Sequence, residues 1–386
     1  MRLIAHNDGW ELRGNERQLR YLAEGLDRRG HDVLVSCRAG GALAAELERI
    51  HIHTTPIRPR GDLALPSALA FRSLLRERRP DAVLLTSWKR VFTGARMARR
   101  AGGSRVIVRL GIVRPMPERG TAAWKLRRAF DRWVDALVVN SEAVRRVWLE
   151  SAPWFAPERV HVIRNGVDGV GGAGGVEGVA GDGARVRREL GVGDEVRLIA
   201  AVAALEPRKG IDLLLHALAV LPADIQVVVA GHGPRAESLR ALAESLGLSG
   251  RVHWLGARAD VPDVLAAAAA FALPTRADSV PNALLEAMAA GLPIVTTSGN
   301  GAEEALGARA ASGAEEAWGG ASPRPPAGWI VTPEDPEALA TALAEALAAP
   351  GGRPEEARWR AHQWFGVERM VDEYERVLFP SQEARR

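Results

Sequence analysis

The run from Asp278 to Thr297 reads Asp-Ser-Val-Pro-Asn-Ala-Leu-Leu-Glu-Ala-Met-Ala-Ala-Gly-Leu-Pro-Ile-Val-Thr-Thr, and it leaves little choice of local structure. Pro281 suits the first turn of a helix, where a missing N–H costs nothing. Ser279 stands where a cap for that helix would sit. Gly291 and Pro293 stop the helix, and a buried strand follows from Ile294 to Thr297. Loop, helix and strand in that order are the repeating unit of an α/β domain. Two carboxylates lie eight positions apart, Asp278 in the loop and Glu286 inside the helix. Asn282 and Glu286, spaced i, i+4, share a face. The first-turn amides of such a helix point outward with partial positive charge and make a seat for phosphate. A phosphate seat flanked by acids that bind hydroxyls fits a sugar nucleotide. Asp278, Ser279, Val280, Pro281, Asn282 and Glu286 are therefore the first candidate site.

The same alternation runs through the chain. Apolar runs at 3–5, 32–37, 82–86, 105–110 and 136–140 read as strands, with helical spacing between them, as in Leu19, Leu22, Ala23 and Leu26. A Gly-, Val- and Ala-rich stretch at 169–183 interrupts the pattern, which restarts with strands at 196–203, 225–230, 252–255, 271–274 and 294–297. The 386 residues suffice for two cores. The expected fold class is α/β, with two Rossmann-like domains facing across a cleft. They are placed at 1–168 and 196–365, joined by a Gly-rich insertion and linker at 169–195 and followed by a terminal helix and tail at 366–386. Residues 308–327, rich in Ala, Gly and Pro, read as a loop insertion, and 336–348 and 353–378 as helices.

A single cysteine, Cys37, excludes an intrachain disulfide and fits a reducing compartment. The first residues read as a strand rather than a signal peptide. No apolar run approaches the roughly 20 residues that a membrane span needs, so a cytoplasmic protein is expected. Charge is uneven: residues 1–168 carry 31 Lys+Arg against 18 Asp+Glu, and the remainder 20 against 29. The first half should face something anionic, whether nucleic acid, an acidic acceptor or a membrane surface. The stretch 124–133, with Trp124, Lys125, Arg127, Arg128, Arg132 and Trp133, is either a membrane-interface helix or a packed helix with a solvated basic face.

The segment from Pro281 to Val295 resembles the E-x7-E signature of retaining glycosyltransferases of the GT-B fold, nearest to glycosyltransferase family 4, with Asp278 in place of the first Glu. Glu206-Pro207-Arg208-Lys209-Gly210 resembles that family's R-L-x-x-x-K-G loop. Lys209 falls on its Lys, its Arg falls on Ala204, and Arg208 is a neighbouring cation. Gly231-His232-Gly233-Pro234 is similar to a G-x-G-P turn that lines the donor site, with His232 read as an exposed turn residue. Arg13-Gly14-Asn15-Glu16-Arg17 resembles the G-G-x-E-R loop that faces donor phosphates, so Gly14 and Asn15 are candidates. The family's first-domain His falls on Leu110. Arg109 is the replacement candidate for catalysis, with a structural ion pair as its other role, and His6 is a further option.

The resemblance implies transfer of a sugar from a nucleotide-diphospho-sugar to an acceptor hydroxyl, with retention and no obligatory metal. The acceptor would be a glycan or lipid-linked molecule, met by the N-terminal domain, in cell-surface polysaccharide, lipopolysaccharide or glycolipid synthesis. Nucleic acid is not an expected partner. Peripheral contact with the inner face of the membrane through the basic half is. Asp278 would hold sugar hydroxyls and Glu286 the ribose. Lys209 and the helix amides would take the diphosphate, with Arg208, Gly231 and Gly233 beside it. Ala204 and Leu110 leave two alternatives open, a non-catalytic sugar-nucleotide binder and a GT-B sugar-nucleotide epimerase. A Rossmann oxidoreductase is disfavoured because no glycine fingerprint opens the first unit.

Overall fold

The structure is a computed structural model that describes residues 1–57, 65–112, 115–117, 120–168, 181–298, 301–307 and 326–380. Two compact units divide the chain. One comprises Met1–Gly166 and Val367–Arg386, the other Val167–Gly366.

The first unit holds seven strands: β1 (Arg2–His6), β2 (Asp32–Arg38), β3 (His53–Ile57), β4 (Ala82–Leu85), β5 (Arg105–Leu110), β6 (Ala136–Val139) and β7 (Val160–Val162). They pair in the order β3-β2-β1-β4-β5-β6-β7, all parallel. Helices cover both faces, so the central strands are apolar on both sides. On β1, Ile4 joins one core with Val83, Leu85, Val106 and Val108, while Leu3 and Ala5 join the other with Leu84 and Ile107. The C-terminal helix Val367–Leu378 returns to this unit and packs on the helix Gly14–Arg28. The Val371 side chain packs so closely on Gly25 that a Cβ there would lie 2.5 Å from Val371 Cγ2.

The second unit holds β8 (Arg197–Val202), β9 (Ile225–Ala230), β10 (Val252–Gly256), β11 (Ala270–Leu273), β12 (Ile294–Thr297) and β13 (Trp329–Val331). Their order is β10-β9-β8-β11-β12-β13, again parallel. In each sheet the chain moves outward one way from its first strand, then jumps back to build the other side. The switch points are β1/β4 and β8/β11, and ligands of open α/β sheets bind at the carboxyl ends of strands beside such a point.

Three strands, β3, β7 and β13, were not expected from sequence, and all three are sheet edges. β3 carries Pro56, which an edge tolerates because that N–H side needs no partner; β7 and β13 are three residues each. The expected linker at 169–195 contains a helix, Gly183–Leu190, capped by the Asp182 side chain and packed on the helix Val261–Ala266. Residues 169–180 of that linker, and most of the insertion read at 308–327, lie outside the described residues.

Candidate functional site

In the second unit the site forms where two loops are joined at the β8/β11 switch point. The loop after β8 tightens into a single turn, Pro207–Lys209, and the loop after β11 carries Asp278. The backbones lock together. Arg208 O accepts hydrogen bonds from Thr275 Oγ1 at 2.9 Å and Arg276 N at 2.8 Å. Gly210, at φ +66°, sits so close that an added Cβ would lie 1.9 Å from Pro274 O. This fusion delivers Lys209 to Asp278. The Lys209 ammonium pairs directly with Asp278 Oδ2, and Arg208 Nη1 stands 3.4 Å from the same oxygen. The Lys209 and Asp278 side chains are only 11% and 9% exposed, so each charge depends on the other to offset its lost hydration. Arg208 is also held by Glu206 at 2.8 Å. Residues 69 apart in sequence thus form a cation–carboxylate centre at the ligand end of the sheet.

The helix after Asp278 spans Asn282–Ala290. Its N-cap is Pro281, whose carbonyl accepts from Leu284 N at 3.1 Å. This corrects the expectation of Ser279 as cap and Pro281 as first-turn residue. Ser279 and Val280 are buried below the helix start, and the Ser279 amide donates to Asp278 Oδ1 at 2.9 Å. Leu284, Leu285, Ala287, Met288 and Ala289 face the core, whereas Asn282 and Glu286 lie half-buried on the opposite face. Gly291, at φ +69°, ends the helix.

Gly231 and Gly233 follow β9 and run along the loop after β8. A Cβ on Gly231 would lie 1.8 Å from Ala203 O, and one on Gly233 2.5 Å from Leu205 O. Leu205 N donates to His232 O at 2.9 Å. Both glycines therefore let the β9 turn brace the loop that leads to Lys209. His232 is exposed at that turn.

In the first unit a buried polar network spans the β1/β4 switch point. Asn7 Nδ2 donates to Thr86 Oγ1 and Glu16 Oε1, each at 3.0 Å, and Glu16 Oε2 accepts from the Arg13 amide at 3.2 Å. Gly14 opens the helix Gly14–Arg28, and Asn15 Nδ2 donates to Thr86 O at 3.2 Å. Arg109, at the end of β5, is buried; its guanidinium donates to Asn15 Oδ1 and, at 2.9 Å, to Asn165 Oδ1. These two partners are side-chain amides, not the carboxylate of the expected ion pair. Gln18 closes a two-bond clamp on the Gly166 backbone, each bond 2.7 Å. Burial pulls the His6 imidazole down to about 4, so it is neutral at pH 7 and hydrogen-bonds Ser36. Sequence reasoning missed Asn7, Thr86 and Asn165 as members of this network. A polar residue directly after a strand was the available signal for Asn7 and Thr86.

Comparison with known proteins matches two family models to this chain. "Glycosyltransferase Family 4" spans residues 12–169 and "Glycosyl transferases group 1" spans residues 183–363. The chain belongs to this family of glycosyl transferases. A curated relative, the D-inositol 3-phosphate glycosyltransferase of Mycobacterium sp. (strain KMS), is 36% identical over 177 residues, 43% of this chain and 38% of that protein. The matched stretch thus spans well under half of that relative's length. Among solved structures, HepE from Anabaena in complex with UDP superposes with a TM-score of 0.80 at 23% identity, covering 98% of this chain and 99% of that one. A glycosyltransferase from Rickettsia africae ESF-5 gives 0.78 at 17% identity, covering 98% and 99%. At these identities the likeness is one of fold, and it identifies both sheets as parts of a GT-B architecture.

Proposed function

We propose that this chain transfers a glycosyl unit from a nucleotide-diphospho-sugar to an acceptor hydroxyl with retained anomeric configuration. One observation carries the reading: Lys209 and Asp278 meet at a switch point beside the amino end of the helix that bears Glu286. Lys209 and the first-turn amides of that helix meet the negative charge that grows on the departing diphosphate. Asp278 binds sugar hydroxyls once the diphosphate engages Lys209, and Glu286 binds the ribose hydroxyls. The bond from the anomeric carbon to the phosphate oxygen breaks, the acceptor oxygen bonds that carbon on the same face, and the acceptor proton passes to the departing phosphate. The UDP held by the Anabaena protein supports a nucleoside diphosphate as leaving group.

The acceptor in this reading is a glycan or lipid-linked molecule of cell-surface polysaccharide, lipopolysaccharide or glycolipid synthesis, met at the inner face of the membrane. The charge pattern of the first unit supports it. The helices Leu65–Arg78, Val91–Ala101 and Gly120–Arg132 lie side by side and carry ten Lys+Arg against two Asp+Glu. Trp124, 58% exposed, and Leu69, 53% exposed, stand among them. No described helix is long and apolar enough to cross a membrane; the contact in this reading is peripheral.

The test is a thermal-shift screen of UDP-, GDP- and ADP-sugars, followed by transfer assays with the donor that binds. A specific donor raises the melting temperature by mass action. Glu286→Ala removes that shift and the transfer, and His232→Ala keeps both. A wild-type protein that responds to no nucleotide sugar defeats the proposal.

A further inference from the structure

Arg276 lies between Thr275 and the Asp278 loop, and no part of the proposed chemistry uses it. A guanidinium has five N–H donors, and here every one is engaged. Nε donates to Glu334 Oε1, and Nη2 donates to Glu334 Oε2 at 3.0 Å. Nη1 and Nη2 grip Asp212 side-on through Oδ1 and Oδ2, both at 2.8 Å. The remaining Nη1 donor reaches Pro207 O at 2.8 Å. The backbone of the same residue donates to Arg208 O. One residue therefore fixes two successive carbonyls of the Pro207–Lys209 turn, anchors that turn to the first turn of the helix Ile211–Val220 through Asp212, and ties it to the segment after β13 through Glu334.

Two further features mark the arrangement as a built device. The Asp212 carboxyl, which burial alone would raise, lies below the ordinary carboxylate value because Arg276 bonds and faces it. Glu334 has φ +60°, a left-handed conformation that is costly for a residue with a Cβ. Its carboxylate is held by Arg276 through both oxygens, so the fold accepts local strain at the place where that ion pair is made.

We infer that Arg276 is a positioning residue, which together with Asp212 and Glu334 sets the height and direction of Lys209 at the diphosphate seat. The inference rests on the proposed reading of that seat. Its action is through the Pro207–Lys209 backbone, not through contact with the sugar. Arg276→Lys keeps the charge but offers three donors on a flexible stem, and it cannot reproduce the two-carboxylate, one-carbonyl grip.

Calorimetric titration of UDP and GDP, alongside uridine and guanosine, into the wild type, Arg276→Lys and Glu334→Gly tests this. Arg276→Lys should weaken nucleoside diphosphate binding between about tenfold and about a hundredfold, the range set by loss of one hydrogen bond to a charged group. Its nucleoside affinity should stay within about twofold, because the Glu286 side is untouched. Glu334→Gly, at ease with a positive φ, should keep the melting temperature and still lose diphosphate affinity severalfold. Equal losses for diphosphate and nucleoside, or no loss in either, overturn the positioning role. A wild-type protein that binds no nucleoside diphosphate instead defeats the proposed function itself, and this inference with it.

Discussion

Lys209→Met should unbalance the second unit in a measurable way. The substitution keeps the length of the side chain and removes the charge that faces Asp278, whose side chain is 9% exposed. Removing one partner of a buried pair costs about 3–5 kcal/mol, because the other charge is left without compensation. Arg208 Nη1, 3.4 Å from the same oxygen, remains as a second cation, but its own side chain is 40% exposed and shared with Glu206. The loss should therefore fall at or below the lower end of that range, about 2–3 kcal/mol. Asp278→Asn in the Lys209→Met background should restore much of it, giving a coupling of about 2 kcal/mol in a double-mutant cycle. Urea unfolding of the four proteins, followed by circular dichroism and by hydrogen exchange of β8 and β11 amides, supplies the numbers. Additivity within about 0.5 kcal/mol would show that the two charges are solvated independently and would refute the argument from burial.

Stability should fall as pH drops from about 6.5 to about 4, because the unfolded chain binds a proton at His6 in that window and the folded chain does not. The full difference is about 3 kcal/mol, and His6→Gln should flatten the slope in pH-dependent urea titrations. Gly231→Ala should cost more than about 2 kcal/mol, since its Cβ would meet Ala203 O, while Gly247→Ala, at φ +71° with nothing within 4 Å, should cost only about 1 kcal/mol; thermal melts separate the two. The wild type should sediment with phosphatidylglycerol vesicles at low salt and be released at about 0.5 M salt. Arg96→Gln, Arg99→Gln and Arg127→Gln together should weaken that binding by about a hundredfold, at roughly 1 kcal/mol per charge.

The parts of the fold legible in sequence are those where one face or both faces of an element must be apolar. The central strands and the helix Asn282–Ala290 announce themselves by continuous or periodic burial. The edge strands β3, β7 and β13 do not, since β3 is half polar and β7 and β13 are too short to establish a period. The site divides in the same way. Glu286, Gly291 and Pro293 are fixed by local helix grammar, so their relation can be read along the chain. The Lys209–Asp278 pair joins positions 69 apart, and the Arg109–Asn15 contact spans 94. Such contacts arise from strand order, and no local pattern encodes them. Arg276 is the sharpest case: it looks like one more surface arginine in an arginine-rich chain until Asp212, Glu334 and Pro207 are brought around it.

A crystal structure of the chain with a bound nucleotide-diphospho-sugar puts the central claim to its most direct test. The account predicts the diphosphate within hydrogen-bond reach of Lys209 Nζ and of the amides opening the helix Asn282–Ala290, with Glu286 on the ribose hydroxyls and Asp278 turned to the sugar. A nucleotide seated away from that helix end, or one that leaves Lys209 and Asp278 paired to each other and Glu286 without contact, would contradict it.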